Sequence, residues 1–187
     1  MINKSANFVA KLERGSNNMS KYKELNTLAN KEKIILNQVK KEGSVVYGAR
    51  AIKAHLKFAA RPTRDFDIHS KTPVKSAMNL RKTLNRRAGG KKFYDVKSRY
   101  YGKTRKVIYV GLDGKKQTRD DVGIADITPF PNRKIKIVSL NGVNYVSLAD
   151  VKYDKRKSLK DKRFKFRHNK DREDLNRINN YEEATKW

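Results

Sequence analysis

The sequence has no cysteine, four prolines, one tryptophan and only 19 acidic residues in 187. Without cysteine there are no disulfides and no thiolate metal sites, and a reducing compartment is allowed. Apolar runs are short. No segment approaches the roughly 20 apolar residues of a membrane-spanning helix, and MINKSANFVAKLERGSNNMS at the start lacks the apolar stretch of a signal peptide. A soluble protein in the cytoplasm of the producing or host cell is therefore expected. No long helix combines a basic face with a bulky apolar one, so no membrane association is expected either. Positive charge, in contrast, is abundant: 46 Lys and Arg give a formal net charge of +27. Such a chain repels itself unless a polyanion lies against it, which makes nucleic acid the expected partner. The length supports one domain, with or without appendages, and is enough for a real core.

Residues 1–19 are polar and basic and are expected to form a flexible arm, with Gly15-Ser16-Asn17-Asn18 as a break. Residues 20–146 are expected to form an α+β core. Tyr22, Leu25, Leu28, Ile34, Ile35 and Val39 follow helical spacing from Ser20, and Gly43 stops them. A short strand at 45–47, the Gly48-Ala49 turn and a helix through Ile52, Leu56 and Phe58 come next, ended by Arg61-Pro62. Residues 65–69 alternate as a half-buried strand, with Phe66 and Ile68 on one face and Asp65 and Asp67 on the other. Pro73 opens another helix, closed by Gly89-Gly90. Strands are expected at 93–101, 104–110, 122–127, 135–138 and 143–146, with hairpin signals at Leu112-Asp113-Gly114-Lys115 and Asn141-Gly142. Residues 147–187 are expected to form a basic helical segment packing on the core, with helices near 148–162 and 170–184. Too few alternating βα units are present for a doubly wound fold, so a mixed β-sheet flanked by helices is expected.

Asp65 and Asp67, two apart on a strand, project to the same side, where they repel unless a cation lies between them. Hard oxygen ligands without Cys suit Mg2+ or Mn2+, which shares its shell with substrate phosphates. Asp126, set among Ile124, Ala125 and Ile127, is the expected third carboxylate for metal binding and catalysis. The Gly48-Ala49 turn at a helix start lets backbone N–H groups approach phosphate. Arg61 and Arg64 are positioned to neutralise phosphates, with Thr63 bonding locally at the strand start. His55, His69 and His168 lack metal-ligand spacing, and no metal role is expected for them.

With VVYGARA at 45–51, RPTRDFDIHS at 61–70, IADIT at 124–128, SLADVK ending at Lys152 and NKDREDL at 169–175, the sequence resembles the nucleotidyltransferase superfamily, in particular its minimal, abortive-infection-toxin-like branch. The resemblance covers roughly residues 45–178. It implies a nucleotidyltransferase-like fold, with Gly48 and Ala49 against the triphosphate of an NTP, Asp65 and Asp67 on metal, and Asp126 assisting. Lys152 would approach phosphate, and Asp171 or Asp174 would hold the C-terminal helices against the site. Ala49 stands where the family often has Gly or Ser, so only backbone donors remain there.

Residues 152–172 carry eleven Lys or Arg against three Asp, interleaved with Tyr153, Phe164 and Phe166. Lys155, Arg156, Lys157, Lys160, Lys162, Arg163, Lys165 and Arg167 are the candidate nucleic-acid contacts, since a basic stripe with aromatics can track a phosphate backbone and stack on bases. Residues 91–106, with Tyr94, Tyr100 and Tyr101, form a second candidate surface. The leading expectation is a metal-dependent nucleotidyltransferase that moves an NMP from an NTP to a nucleic-acid acceptor such as an RNA end, a tRNA-modifying toxin being one variant. The alternative is a non-catalytic component of the same fold, a structural or nucleic-acid-binding part of a virus particle or similar assembly.

Overall fold

Gly43 sets the first boundary of the fold. In the computed structural model, which describes residues 30–57, 60–63, 65–90, 92–100, 102–111 and 121–186, helix α1 (Lys31–Glu42) ends where Gly43 takes a left-handed φ of 61°. Its N–H and that of Ser44 return to the Lys40 and Val39 carbonyls, closing the last turn. Strand β1 (Val45–Tyr47) runs directly into α2 (Gly48–Leu56), then come β2 (Phe66–His69) and α3 (Pro73–Arg87), with proline in the first turn of α3. Five strands follow: β3 (Tyr94–Arg99), β4 (Thr104–Tyr109), β5 (Val122–Thr128), β6 (Ile137–Leu140) and β7 (Val143–Val146). The chain finishes with α4 (Leu148–Lys160), a 3-10 turn (Lys162–Arg167) and α5 (His168–Ala184). No helix among the described residues is long and apolar enough to cross a membrane.

The seven strands form one mixed sheet in the order β3-β4-β5-β2-β1-β7-β6. β2 lies parallel to β5 and β1 parallel to β7, while the remaining neighbours are antiparallel. Because strand side chains alternate, Phe66 and Ile68 enter the core with Ile35, Val39, Leu80 and Leu84 of α1 and α3. Burial of each large apolar side chain contributes about 1.5–3 kcal/mol. Asp67 and His69 take the opposite face. There α2 packs on β2, and α4 and α5 pack on α2 and on each other, leaving a cleft above the middle of the sheet.

This is the α+β architecture expected, with several shifts of boundary. Asp65 lies in a bend just before β2, not in the strand. α2 ends at Leu56 instead of reaching Arg61-Pro62, and Lys57 breaks it with a φ of 54°. β6 sits two residues later than expected, because its register is set by the turn: Asn141 and Gly142 both take positive φ, as a tight two-residue hairpin needs. The basic run between the last two helices forms a 3-10 turn. Tyr94 is a core residue, not a contact surface, whereas Tyr100 is exposed. The expected arm at 1–19, the Ser20 start of the first helix, the Leu112–Lys115 turn, Arg64 and Tyr101 lie outside the described residues.

Candidate active site

Four adjacent strands, β1, β2, β5 and β4, assemble one row of side chains. In the sheet register Tyr47 pairs with Asp67, Asp67 with Asp126, and Asp126 with Lys106 of β4. Paired residues share a face, so the two carboxylates project side by side between a phenol and an ammonium group. The Lys106 Nζ donates to Asp126 Oδ2 at 3.2 Å, while Asp126 Oδ1 is buried without a hydrogen-bond partner.

Gly48 closes the other side of Asp67. Its φ of 65° suits glycine, and a Cβ added there would lie 2.4 Å from Asp67 Oδ2. The carboxylate thus lies against the first residue of α2, and no side chain caps that helix. Its first-turn N–H groups remain available to an anion.

Burial at the floor of the cleft, followed by repulsion from Asp65 and Asp126, pushes the Asp67 carboxyl up to about 6; Arg167 and Lys155 pull it down. The same burial and the Asp67 charge push the Tyr47 hydroxyl up, and burial pushes His69 down. His69 stacks on Tyr47 with ring centres 3.9 Å apart, and its Nδ1 lies 3.0 Å from Thr128 Oγ1.

The cleft has a volume of about 430 Å³; Tyr47, Gly48, Asp67 and Asp126 are among its lining residues, with Lys155 and Arg167 from the C-terminal segment. Lys155 is buried between Asp171 at 3.0 Å and Asp174 at 2.6 Å. Asp174 also takes Arg61 at 2.9 Å, and Asp171 takes Arg167 at 3.1 Å. One chain of ion pairs therefore runs from the loop before β2 through both C-terminal helices to the cleft.

The structure brings together Gly48, Asp67, Asp126, Lys155 and Arg167. Asp65 is close enough to raise Asp67 but does not line the cleft, and it receives the Thr63 hydroxyl at 3.5 Å. Ala49 is buried in the first turn of α2. Arg61, expected on phosphate, is a strut to Asp174. Lys152 pairs with Glu182 at 2.5 Å and is not a lining residue. Lys155, expected on the exposed stripe, is instead the buried centre of the ion-pair chain. Arg156, Lys157, Lys160, Lys162, Arg163, Lys165 and Arg167 are exposed, Arg163 being held by Asp161. Sequence reasoning missed Tyr47, Lys106 and Thr128 because their roles come from pairing across strands. Alternation in a segment such as TRKVIY at 104–109 tells faces apart but not partners.

Among the described residues no group of three or more His, Cys, Asp or Glu side chains converges as a ready set of metal ligands. The chemistry of Asp67 and Asp126 nonetheless suits a divalent cation. One is a carboxyl raised by burial and then by repulsion from neighbouring carboxylates, and the other has a buried oxygen without a hydrogen-bond partner.

No protein-family model matches the sequence, and no curated protein matches it. Among solved structures, the Megavirus polyadenylate synthase is similar at 21% identity with a TM-score of 0.56, covering 74% of this chain and 27% of its own. JHP933 from Helicobacter pylori follows at 14% identity and TM-score 0.43, and a candidate nucleotidyltransferase of H. pylori at 13% and 0.41. Each of these two covers 70% of this chain and 56% of its own. The chain thus spans about a quarter of the viral enzyme's length and just over half of the others. At this level of identity the likeness to the first establishes a nucleotidyltransferase-like fold.

Proposed function

We propose that the protein is a nucleotidyltransferase of the minimal, abortive-infection-toxin-like kind, moving a nucleoside monophosphate from an NTP to a nucleic-acid acceptor with Mg2+ or Mn2+. The observation that carries this reading is the position of Asp67, wedged between the glycine that opens α2 and the Asp126 carboxylate. The uncapped first turn of α2 binds triphosphate oxygens through backbone N–H groups, and Arg167 and Lys155 add positive charge on the facing wall. Asp67, with Asp65 and Asp126 beside it, would hold the divalent ion, which supplies activation of the attacking hydroxyl and stabilisation of the pyrophosphate leaving group. The acceptor oxygen bonds to the α-phosphorus as the bond to pyrophosphate breaks. Asp126 Oδ1, which has no other partner, takes the hydroxyl proton. The exposed cations of the C-terminal segment and the fold shared with a polyadenylate synthase support a polymeric acceptor.

The test is incubation of the full chain with each labelled NTP, Mg2+ and mixed RNA or DNA. Label should enter polymer, and Asp67→Asn should reduce the rate by about 10²-fold or more. Absence of incorporation with every NTP, or equal rates in the variant, would overturn the reading.

One observation favours a second reading, the non-catalytic nucleic-acid-binding component: Asp126 is already ion-paired to Lys106. That reading predicts salt-dependent nucleic-acid binding with no turnover.

A further inference from the structure

We infer that Lys106 is a built-in counter-ion for Asp126 that limits this site to a single divalent cation, held at Asp67. The inference rests on the metal-dependent reading above, and three features of the chain carry it. Lys106 Nζ stands 3.2 Å from Asp126 Oδ2, inside the row of paired strand residues that forms the floor of the cleft. Its route across β5 is open because residue 123 is glycine: a Cβ there would lie 2.9 Å from Lys106 Cε and 3.1 Å from Nζ. Gly123 has no positive φ, so the backbone does not require glycine there; a Cβ would instead push the end of the lysine from its place beside Asp126. The register between β4 and β5 also shifts between Val107 and Ile108, which sets Lys106 opposite Asp126 and Ile108 opposite Gly123.

The neighbouring lysine in the same row does not share this task, since Lys97 is paired with Asp121 at 2.6 Å. An ammonium at hydrogen-bonding distance offsets the charge that would attract a further cation to Asp126, and any ion arriving there must displace it or suffer its repulsion. On the other side of the row, no lysine or arginine among the described residues is ion-paired to Asp67.

Mn2+ binding to the full chain, counted by electron paramagnetic resonance of free ion and by water proton relaxation, tests this without reference to turnover. Wild type and Lys106→Arg should bind one Mn2+ per chain. Lys106→Met should bind a second ion, or the first roughly tenfold more tightly, and the gain should vanish in Lys106→Met/Asp126→Asn. Gly123→Ala, which displaces only the flexible end of the lysine, should move binding in the same direction and serves if Lys106→Met does not fold. Two ions bound by wild type, or binding by folded Lys106→Met and Gly123→Ala that equals wild type, would overturn the inference. The nucleotide-incorporation assay separates the two ideas. Absent incorporation with the Mn2+ differences intact removes the transferase reading alone; incorporation with unchanged Mn2+ stoichiometry and affinity removes this one alone.

Discussion

At the scale of single residues, Asp67 sets the balance between stability and chemistry. A carboxyl moved from its ordinary value of 3.8 to about 6 is charged at neutral pH at a free-energy penalty on the order of 2–3 kcal/mol. The sign follows from proton linkage: between those two values the folded state binds more protons than the unfolded chain, so stability falls as pH rises through that window. Asp67→Asn removes this penalty. We expect it to be more stable than wild type at pH 7.5 by roughly 2 kcal/mol, with the difference shrinking toward pH 4, as followed by urea denaturation at both values. An identical pH dependence in the two proteins would contradict the electrostatic account of the site.

At the scale of elements, the C-terminal helices are tied to the sheet by buried charge as well as by apolar packing. Val151 and Ile178 enter the common core, and Lys155 lies between two aspartates that are each 1% exposed. Two buried carboxylates without their cation are expensive, so Lys155→Ala should destabilise the protein by about 3–5 kcal/mol. Arg177→Ala, at a half-exposed ion pair with Glu173, should destabilise far less. The comparison is read as denaturation midpoints at unchanged slope. The same network brings Arg167 to the cleft from a segment far along the chain, so loss of Lys155 should also weaken NTP binding. Elements with strong local signals lie close to where the residues predict them: the glycine end of α1, the proline start of α3, the Asn141-Gly142 hairpin and the start of α4, where Ser147 accepts from the Asp150 N–H. The end of α2 moved by several residues despite the Pro62 signal, because the positive φ of Lys57 breaks the helix first.

At the scale of the whole molecule, an excess of 27 positive charges dominates encounter with any polyanion. Arg156, Lys157, Lys160, Lys162, Lys165 and Arg167 are all exposed on the C-terminal segment, with Phe166 80% exposed among them. If these six contact phosphates of a single strand, the logarithm of affinity should fall with the logarithm of salt concentration with a slope of about −4. Replacing Lys160, Lys162 and Lys165 by Gln should reduce that slope by about 2, equally for oligonucleotides of different sequence, as measured by fluorescence anisotropy. Affinity for RNA that does not respond to salt would count against a backbone-tracking surface.

The amino-acid sequence by itself determined the broad class of the fold, the basic character of the molecule, the alternation that puts Asp67 opposite Phe66 and Ile68, and the glycine turn that faces it. These are short-range properties, written in charge, period and backbone freedom over a few residues. Only the tertiary structure decided which strand lies beside which, and hence that Asp67 stands between Gly48 and Asp126, that Lys106 reaches across Gly123, and that Lys155 is buried whereas its neighbours in the basic run are not. Pairing between β2 and β5 joins residues about sixty positions apart, and the Arg61–Asp174 bridge joins residues 113 apart. Their partners are set by the packing of the complete sheet and helices, and no local pattern records it.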